Sequence, residues 1–200
     1  PIYLGATVLL PKDYDKHPDV RYPVNYIQGH FSTAAPGGFG RDQAFDTWWL
    51  AEETPRFIWV TLQHPSPYYD DSYGVNSENN GPYGDAIMQE LIPAVEKQFR
   101  VIREPWARQL SGGSTGGWIA LAHQVFYPEF YGAVWASCPD PVDFRYHQIV
   151  NIYDDDNAYW LDTGWMKVDR PNSRRPDGNI RSMMKDENWF ELVVGDRSRS

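Results

Sequence analysis

The sequence predicts an α/β fold built on a mostly parallel sheet, and three observations predict it. Short apolar runs rich in β-forming residues alternate with stretches of helical periodicity. The runs are bounded by proline or glycine, which favours strands over buried helix segments. One of them leads into Gly112-Gly113-Ser114-Thr115-Gly116, a glycine-flanked serine at the junction of a strand and a helix.

The elements follow in order. Tyr3 to Leu10 reads as a strand stopped by Pro11, and Pro23 to Gly29 as a second. Phe57 to Gln63 lies between Pro55 and Pro65, Ala107 to Ser111 is a short fourth strand, and Gly132 to Cys138 is a fifth stopped by Pro139. Asp85 to Phe99 places Ile87, Leu91, Val95 and Phe99 on one helical stripe, with Pro93 predicted to kink it. Gly116 to Phe126 is a second helix. Alternating strands and helices make βαβ units, and ligands then gather at the carboxyl ends of the strands. Tyr153 to Gly178, full of Asp, Asn, Pro and Gly, reads as a long loop. Arg181 to Trp189 is expected as a short helix and Phe190 to Val194 as a short strand. Residues 1–200 are expected to form one domain, with 151–190 as a loop or cap-like insertion.

Composition excludes several classes. The net charge is −9, and no dense set of Lys and Arg is available to replace phosphate counterions, so nucleic acid is not an expected partner. The densest basic cluster, Arg170 with Arg174 and Arg175, reads as a solvated loop. No apolar run approaches the roughly 20 residues of a transmembrane helix. The apolar start, PIYLGATVLL, lacks the basic segment and cleavage site of a signal peptide and reads as a strand. Cys138, the single cysteine, makes no internal disulfide. Nine Trp and thirteen Tyr supply core area, and exposed ones can serve as platforms for sugar rings or aromatic acids.

The serine segment carries the chemistry. In a G-x-S-x-G turn between strand and helix, the serine is held in a strained backbone conformation and its hydroxyl projects above the sheet. Strand and helix backbones then pass so close that Gly112 and Gly116 mark places where a Cβ would collide. Ser114 would be the nucleophile. The backbone N–H of Thr115, at a helix start, would stabilise an oxyanion. A second donor is needed from the loop after an earlier strand. Gln28-Gly29-His30-Phe31 follows the second strand, which points to the backbone N–H of His30, with Gly29 letting the loop approach.

The segments YPVNYIQGHF, NSENNGPYGDAIMQELIPAVEKQFRV, LSGGSTGGWIALAHQVFYPEFYGAVWASCPDPVDF and ENWFELVVGDRSRS resemble the esterase family of α/β-hydrolases that holds esterase D-like, feruloyl-esterase-like and enterochelin-esterase-like proteins. The resemblance runs through most of residues 1 to 150 and returns near the end. It implies an α/β-hydrolase fold and serine ester hydrolysis by a Ser-Asp/Glu-His triad, with no metal and no organic cofactor. The expected substrate is a small-molecule or carbohydrate-linked ester, and the resemblance does not identify which. The family's usual His-Gly on the oxyanion strand reads Gln28-Gly29 here.

Triad order in this fold is Ser, acid, His. Only His123 and His147 follow Ser114. His123 lies about 13 Å along the helix, at 1.5 Å per residue, and reads as a packing or surface residue. His147 follows a strand that does not normally carry the base. Asp140, Asp143 and Asp196 are candidate acids, with turn caps as the competing reading. The simplest account places the acid and histidine beyond Ser200, in a domain truncated at its C-terminus. His64, after the third strand and beside Pro65, Tyr68, Tyr69, Asp70 and Asp71, precedes the serine and is instead a candidate substrate contact. Competing functions are an acyltransferase on the same scaffold and a non-catalytic carbohydrate-binding module built on the aromatic loops.

Overall fold

The computed structural model describes residues 2–29, 34–66, 72–146 and 149–193, with the backbone alone for Glu191. The chain forms two compact units, Pro1–Asp140 and Pro141–Ser200.

The first unit contains strands β1 (Gly5–Leu9), β2 (Val24–Gln28), β3 (Ile58–Gln63), β4 (Asn76–Ser77), β5 (Gly81–Pro82), β6 (Arg108–Gly113) and β7 (Ala133–Ser137). Its helices are α1 (Gln43–Leu50), α2 (Tyr83–Ala86), α3 (Ile92–Gln98) and α4 (Thr115–Phe126). The main sheet has the order β1-β3-β2-β6-β7, and its strands are the five read from the apolar runs. β2, β3, β6 and β7 are mutually parallel, and β1 joins β3 antiparallel. Pairing of Gln28 with Gly112 and of Gly113 with Ser137 brings the carboxyl ends of β2, β6 and β7 side by side.

The central strand β2 buries Val24, Tyr26 and Gln28 on one face. Val24 and Tyr26 join Ile58, Val60, Leu62, Leu110, Ile87, Ile92 and Val95 in the core. Tyr26 also carries a polar load. Its hydroxyl donates to Glu96 Oε1 at 2.9 Å, and Arg108 grips the same carboxylate with Nε at 2.7 Å and Nη2 at 3.0 Å. Burial and the neighbouring Glu96 carboxylate both push the Tyr26 phenol pKa up, so the hydroxyl stays a donor.

Two features of this unit depart from the sequence reading. The Asp85–Phe99 helix is not simply kinked at Pro93: a π-turn, Ile87–Leu91, joins α2 to α3. Pro93 has no N–H to give, and the wide turn absorbs the break, with the Ile92 N–H reaching the Ile87 carbonyl. The extra residue also rotates the stripe, so Ile92 is fully buried while Leu91 and Phe99 are only half-buried. The second departure is α1, which the reading passed over. Asp42 caps it by accepting from the Ala44 and Phe45 N–H groups at 2.9 and 3.2 Å. Phe45 stacks on Trp49 at 6.0 Å, and Trp49 meets Phe57 edge-on at 5.1 Å. An aspartate followed by aromatics at Phe45, Trp48 and Trp49 was the available signal.

The second unit contains two hairpins, β8 (Trp160–Asp162) with β9 (Lys167–Asp169) and β10 (Pro171–Arg174) with β11 (Ile180–Met183), then helix α5 (Met184–Val193). The stretch read as a loop over Tyr153 to Gly178 is therefore largely hairpin. Strands of three or four residues are too short to show alternation, and their turns hold Gly164 and Gly178 at positive φ. The strand expected from Phe190 is helical through Val193. Arg170 is not solvated either: it is 6 % exposed and ion-paired to Asp155 at 2.8 Å.

Candidate active site around Ser114

Ser114 stands between the last residue of β6 and the first of α4, with φ 55° and ψ −125°. A side chain with a Cβ is strained there, at a cost of roughly 1–3 kcal/mol that the surroundings must offset. Ser114 donates its N–H to the Ser137 carbonyl at 3.0 Å, and its own carbonyl accepts from Trp118 at 3.1 Å and Asp140 at 3.3 Å. The turn is thus tied to β7, to α4 and to the loop after β7.

The glycines make this approach feasible. A Cβ on Gly112 would lie 2.1 Å from the Gly116 carbonyl oxygen, and one on Gly116 would lie 2.1 Å from that of Gln28. Gly117 adds a third close passage, 2.9 Å from the Ser137 carbonyl. At Gly29, by contrast, nothing among the described residues lies within 4 Å of a built Cβ. The close approach expected of Gly29 falls instead to Gly116, whose own Cβ would meet the Gly29 Cα at 2.9 Å.

The Ser114 side chain is exposed, and its hydroxyl faces Asp140 Oδ1 at 3.4 Å. Asp140 Oδ2 accepts from the Thr115 hydroxyl at 2.8 Å and from the Tyr73 hydroxyl at 3.1 Å. Tyr73 is itself at φ 53°, and Cys138, two residues before Asp140, at φ 44°. Ser114 and two residues of the segments around it, Tyr73 and Cys138, thus all have positive φ. The Tyr73 ring stands edge-on to Trp118 of α4 at 5.3 Å. Tyr73 carried no sequence signal, since nothing in its local pattern links it to a serine 41 positions away.

The Thr115 N–H opens α4, where no intrahelical acceptor exists. His30, proposed as the second backbone donor, lies outside the described residues, as do His147, Asp196 and the Tyr68–Asp71 neighbours of His64. Asp143 is turned to its own backbone and accepts from the Arg145 N–H at 3.0 Å.

The described histidines are engaged elsewhere. His64 is 0 % exposed, with Nδ1 2.9 Å from the Ser72 hydroxyl and Nε2 3.2 Å from Gln28 Oε1. A substrate contact needs an exposed edge, and His64 has none; burial lowers its pKa to about 4, so it is neutral at pH 7. His123 is equally buried and holds the Gly74 carbonyl at 2.7 Å, its pKa lowered to about 4 by burial. His17 follows β1, whose Leu9 pairs with Trp59 at the amino end of β3, the opposite end of the sheet from Ser114. No imidazole among the described residues is hydrogen-bonded to the serine. Asp140 also sits too close to act through one, because a triad acid binds the far ring nitrogen of an imidazole placed between it and the serine. Among the described residues no cluster of three or more His, Cys, Asp or Glu is placed to hold a metal, and no helix is long and apolar enough to cross a membrane.

The family described as "Putative esterase" matches residues 4–196. The chain belongs to this esterase family. Its fold also matches solved structures. A ferulic acid esterase aligns with a TM-score of 0.56 at 23 % identity, covering 68 % of this chain and 53 % of that one. FphF, a fluorophosphonate-binding serine hydrolase of Staphylococcus aureus, aligns with a TM-score of 0.51 at 13 % identity, covering 76 % and 64 %. No curated protein matches the chain. The chain spans about half the length of the first solved structures it matches, at 53 %, 53 % and 50 % of theirs. The mostly parallel sheet with its flanking helices is an α/β-hydrolase fold, as expected for an esterase.

Proposed function

We propose that the protein hydrolyses carboxylic esters through an acyl-enzyme on Ser114. The observation that carries this reading is an exposed serine held at φ 55° and ψ −125° between strand and helix, in a chain of the esterase family. Ser114 Oγ attacks the ester carbonyl and its proton passes to an imidazole base, then to the leaving alcohol. The oxyanion forms beside the Thr115 N–H, with the His30 N–H as the second donor. Water then attacks the acyl-enzyme, releasing the acid and restoring the serine. The position of His17 and the burial of His64 and His123 speak against those three as the base. The substrate is a small or carbohydrate-linked ester, and the residues need no metal or organic cofactor for this chemistry.

The test is covalent labelling of the full-length protein with a fluorophosphonate probe, read by peptide mass spectrometry. Modification of Ser114, lost in Ser114→Ala together with aryl-ester turnover, is the expected result. Labelling of a different serine, or turnover kept in Ser114→Ala, would remove the reading.

A further inference from the structure

The cluster around Ser114 contains a carboxylate with a role to explain. Asp140 is held on one side only. Its Oδ2 takes two hydroxyl donors, Thr115 at 2.8 Å and Tyr73 at 3.1 Å. Its Oδ1 takes, among the described residues, only the long 3.4 Å contact with Ser114. That length exceeds the usual O–H···O range of about 2.5–3.0 Å, so Oδ1 keeps acceptor capacity directly beside the nucleophile. Asp140 is half-buried. Tyr73 is kept in left-handed backbone at φ 53°, and its ring is braced on Trp118. Two hydroxyls and a strained loop therefore aim one carboxylate edge at the place where a substrate carbonyl must sit.

We propose that Asp140 is a specificity-determining residue, selecting esters that carry a hydroxyl or ammonium donor within about four bonds of the reacting carbonyl carbon and rejecting esters with a carboxylate there. The inference rests on Ser114 being the nucleophile. A carbonyl carbon within reach of Ser114 Oγ places its nearest substituents within a few ångströms of Oδ1. A donor at that point gains a charge-assisted hydrogen bond; an anion meets like charge. The net charge of −9 adds in the same direction, repelling acidic substrates from the whole molecule. The donor can belong to the acyl side, as in a 2-hydroxy or 2-amino acid ester, or to the alcohol side, as in a monoester of a vicinal diol. Tyr73 is a positioning residue that acts through Asp140.

The experiment uses matched esters with the full-length protein. Phenyl lactate is compared with phenyl propanoate for the acyl side, 1-monoacetylglycerol with propyl acetate for the alcohol side, and phenyl hemisuccinate supplies the anion. One of the two donor-bearing esters should exceed its partner in kcat/KM by about ten- to a hundredfold, the range of a hydrogen bond to a charged group. In Asp140→Asn that ratio should collapse towards one while the hemisuccinate gains relative to the propanoate. Tyr73→Phe should move both ratios the same way by a smaller factor. A fluorophosphonate bearing a 2-hydroxyalkyl group, compared with its alkyl counterpart, repeats the comparison as a labelling rate without turnover and at a folded, modified Ser114. Equal losses on every ester in Asp140→Asn would make Asp140 part of the general chemistry and overturn the proposal. Unchanged ratios would overturn it too. If no probe labels Ser114, the nucleophile reading fails first and this inference with it, whereas labelling without donor preference defeats the inference alone.

Discussion

The carbonyl oxygen of Gln28 lies 2.1 Å from where a Cβ on Gly116 would stand. Both partners are backbone, so no rotamer change can relieve the clash; either β2 or α4 must move. Gly116→Ala is therefore expected to cost several kcal/mol, at or beyond the upper range of overpacking of about 3 kcal/mol. Gly113→Ala is the control, because among the described residues its Cβ would meet only the Ser137 oxygen, at an ordinary 3.9 Å. Urea midpoints of the two variants should differ widely, and a folded Gly116→Ala of near wild-type stability would contradict the packing described.

Ser114 carries strain that glycine would not. Ser114→Gly is expected to raise stability by about 1 kcal/mol, the relief of strain offset in part by glycine's greater chain entropy. Ester hydrolysis should fall by several powers of ten in the same variant. The pair of measurements is a thermal unfolding midpoint and kcat/KM on an aryl ester. A lowered midpoint would mean that the turn is held comfortably by serine.

The buried Glu96 carboxylate is shared by Arg108 and Tyr26. Removing Glu96 leaves Arg108 buried and unpaired, and removing Arg108 leaves Glu96 with only the long 3.9 Å ion pair to Arg103, so Glu96→Leu alone should cost about 3–5 kcal/mol and Arg108→Met somewhat less. The double variant should recover much of this loss, since it leaves neither charge behind. Tyr26→Phe should cost less, about 1.5–3 kcal/mol for a hydrogen bond to a charged group. A double-mutant cycle in denaturant reads the coupling, and strict additivity of the two single losses would contradict the pairing.

His64 and His123 are buried in their neutral form, with pKa values lowered to about 4. An unfolded histidine titrates near 6.5, so between about pH 6.5 and 4 the unfolded chain binds more protons than the folded one. The stability associated with these groups is fully present above about pH 6.5 and is lost as pH falls towards about 4. At about 1.4 kcal/mol per pKa unit, the loss amounts to a few kcal/mol for each. Unfolding midpoints should drop between pH 7.5 and 4.5, and His64→Gln should shrink that drop. A midpoint flat across this window would place both imidazoles in contact with water.

The main sheet was legible because most of its strands are short, largely apolar runs closed by proline or glycine; β6, with Arg108 and Gln109, is the weakest of them and gains its signal from the serine turn that follows. The serine turn was legible because backbone contact permits only glycine at Gly112 and Gly116, and that requirement is written in the chain. The aromatic helix α1 went unread although Asp42 and the spacing of Phe45, Trp48 and Trp49 announce it. The π-turn has a cause in Pro93, but the chain can answer a missing N–H by kinking, ending or widening the helix. Local pattern does not choose among them; the burial of Ile92 does. Asp140 was visible as an acid after a strand. Whether it faces a serine or a histidine depends on the turn at Cys138, φ 44°, which no periodicity encodes.

The hydrogen bonds of Ser114 have a consequence for biosynthesis. The serine's N–H is held by Ser137 and its carbonyl by Asp140, both made well after α4. A growing polypeptide that has emerged only as far as Phe126 has β6, the glycines and the helix, with Trp118 to bind the Ser114 carbonyl, but lacks the Ser137 and Asp140 contacts. Those two hydrogen bonds form only when β7 docks beside β6. Before that docking the turn lacks two of the three backbone hydrogen bonds given above.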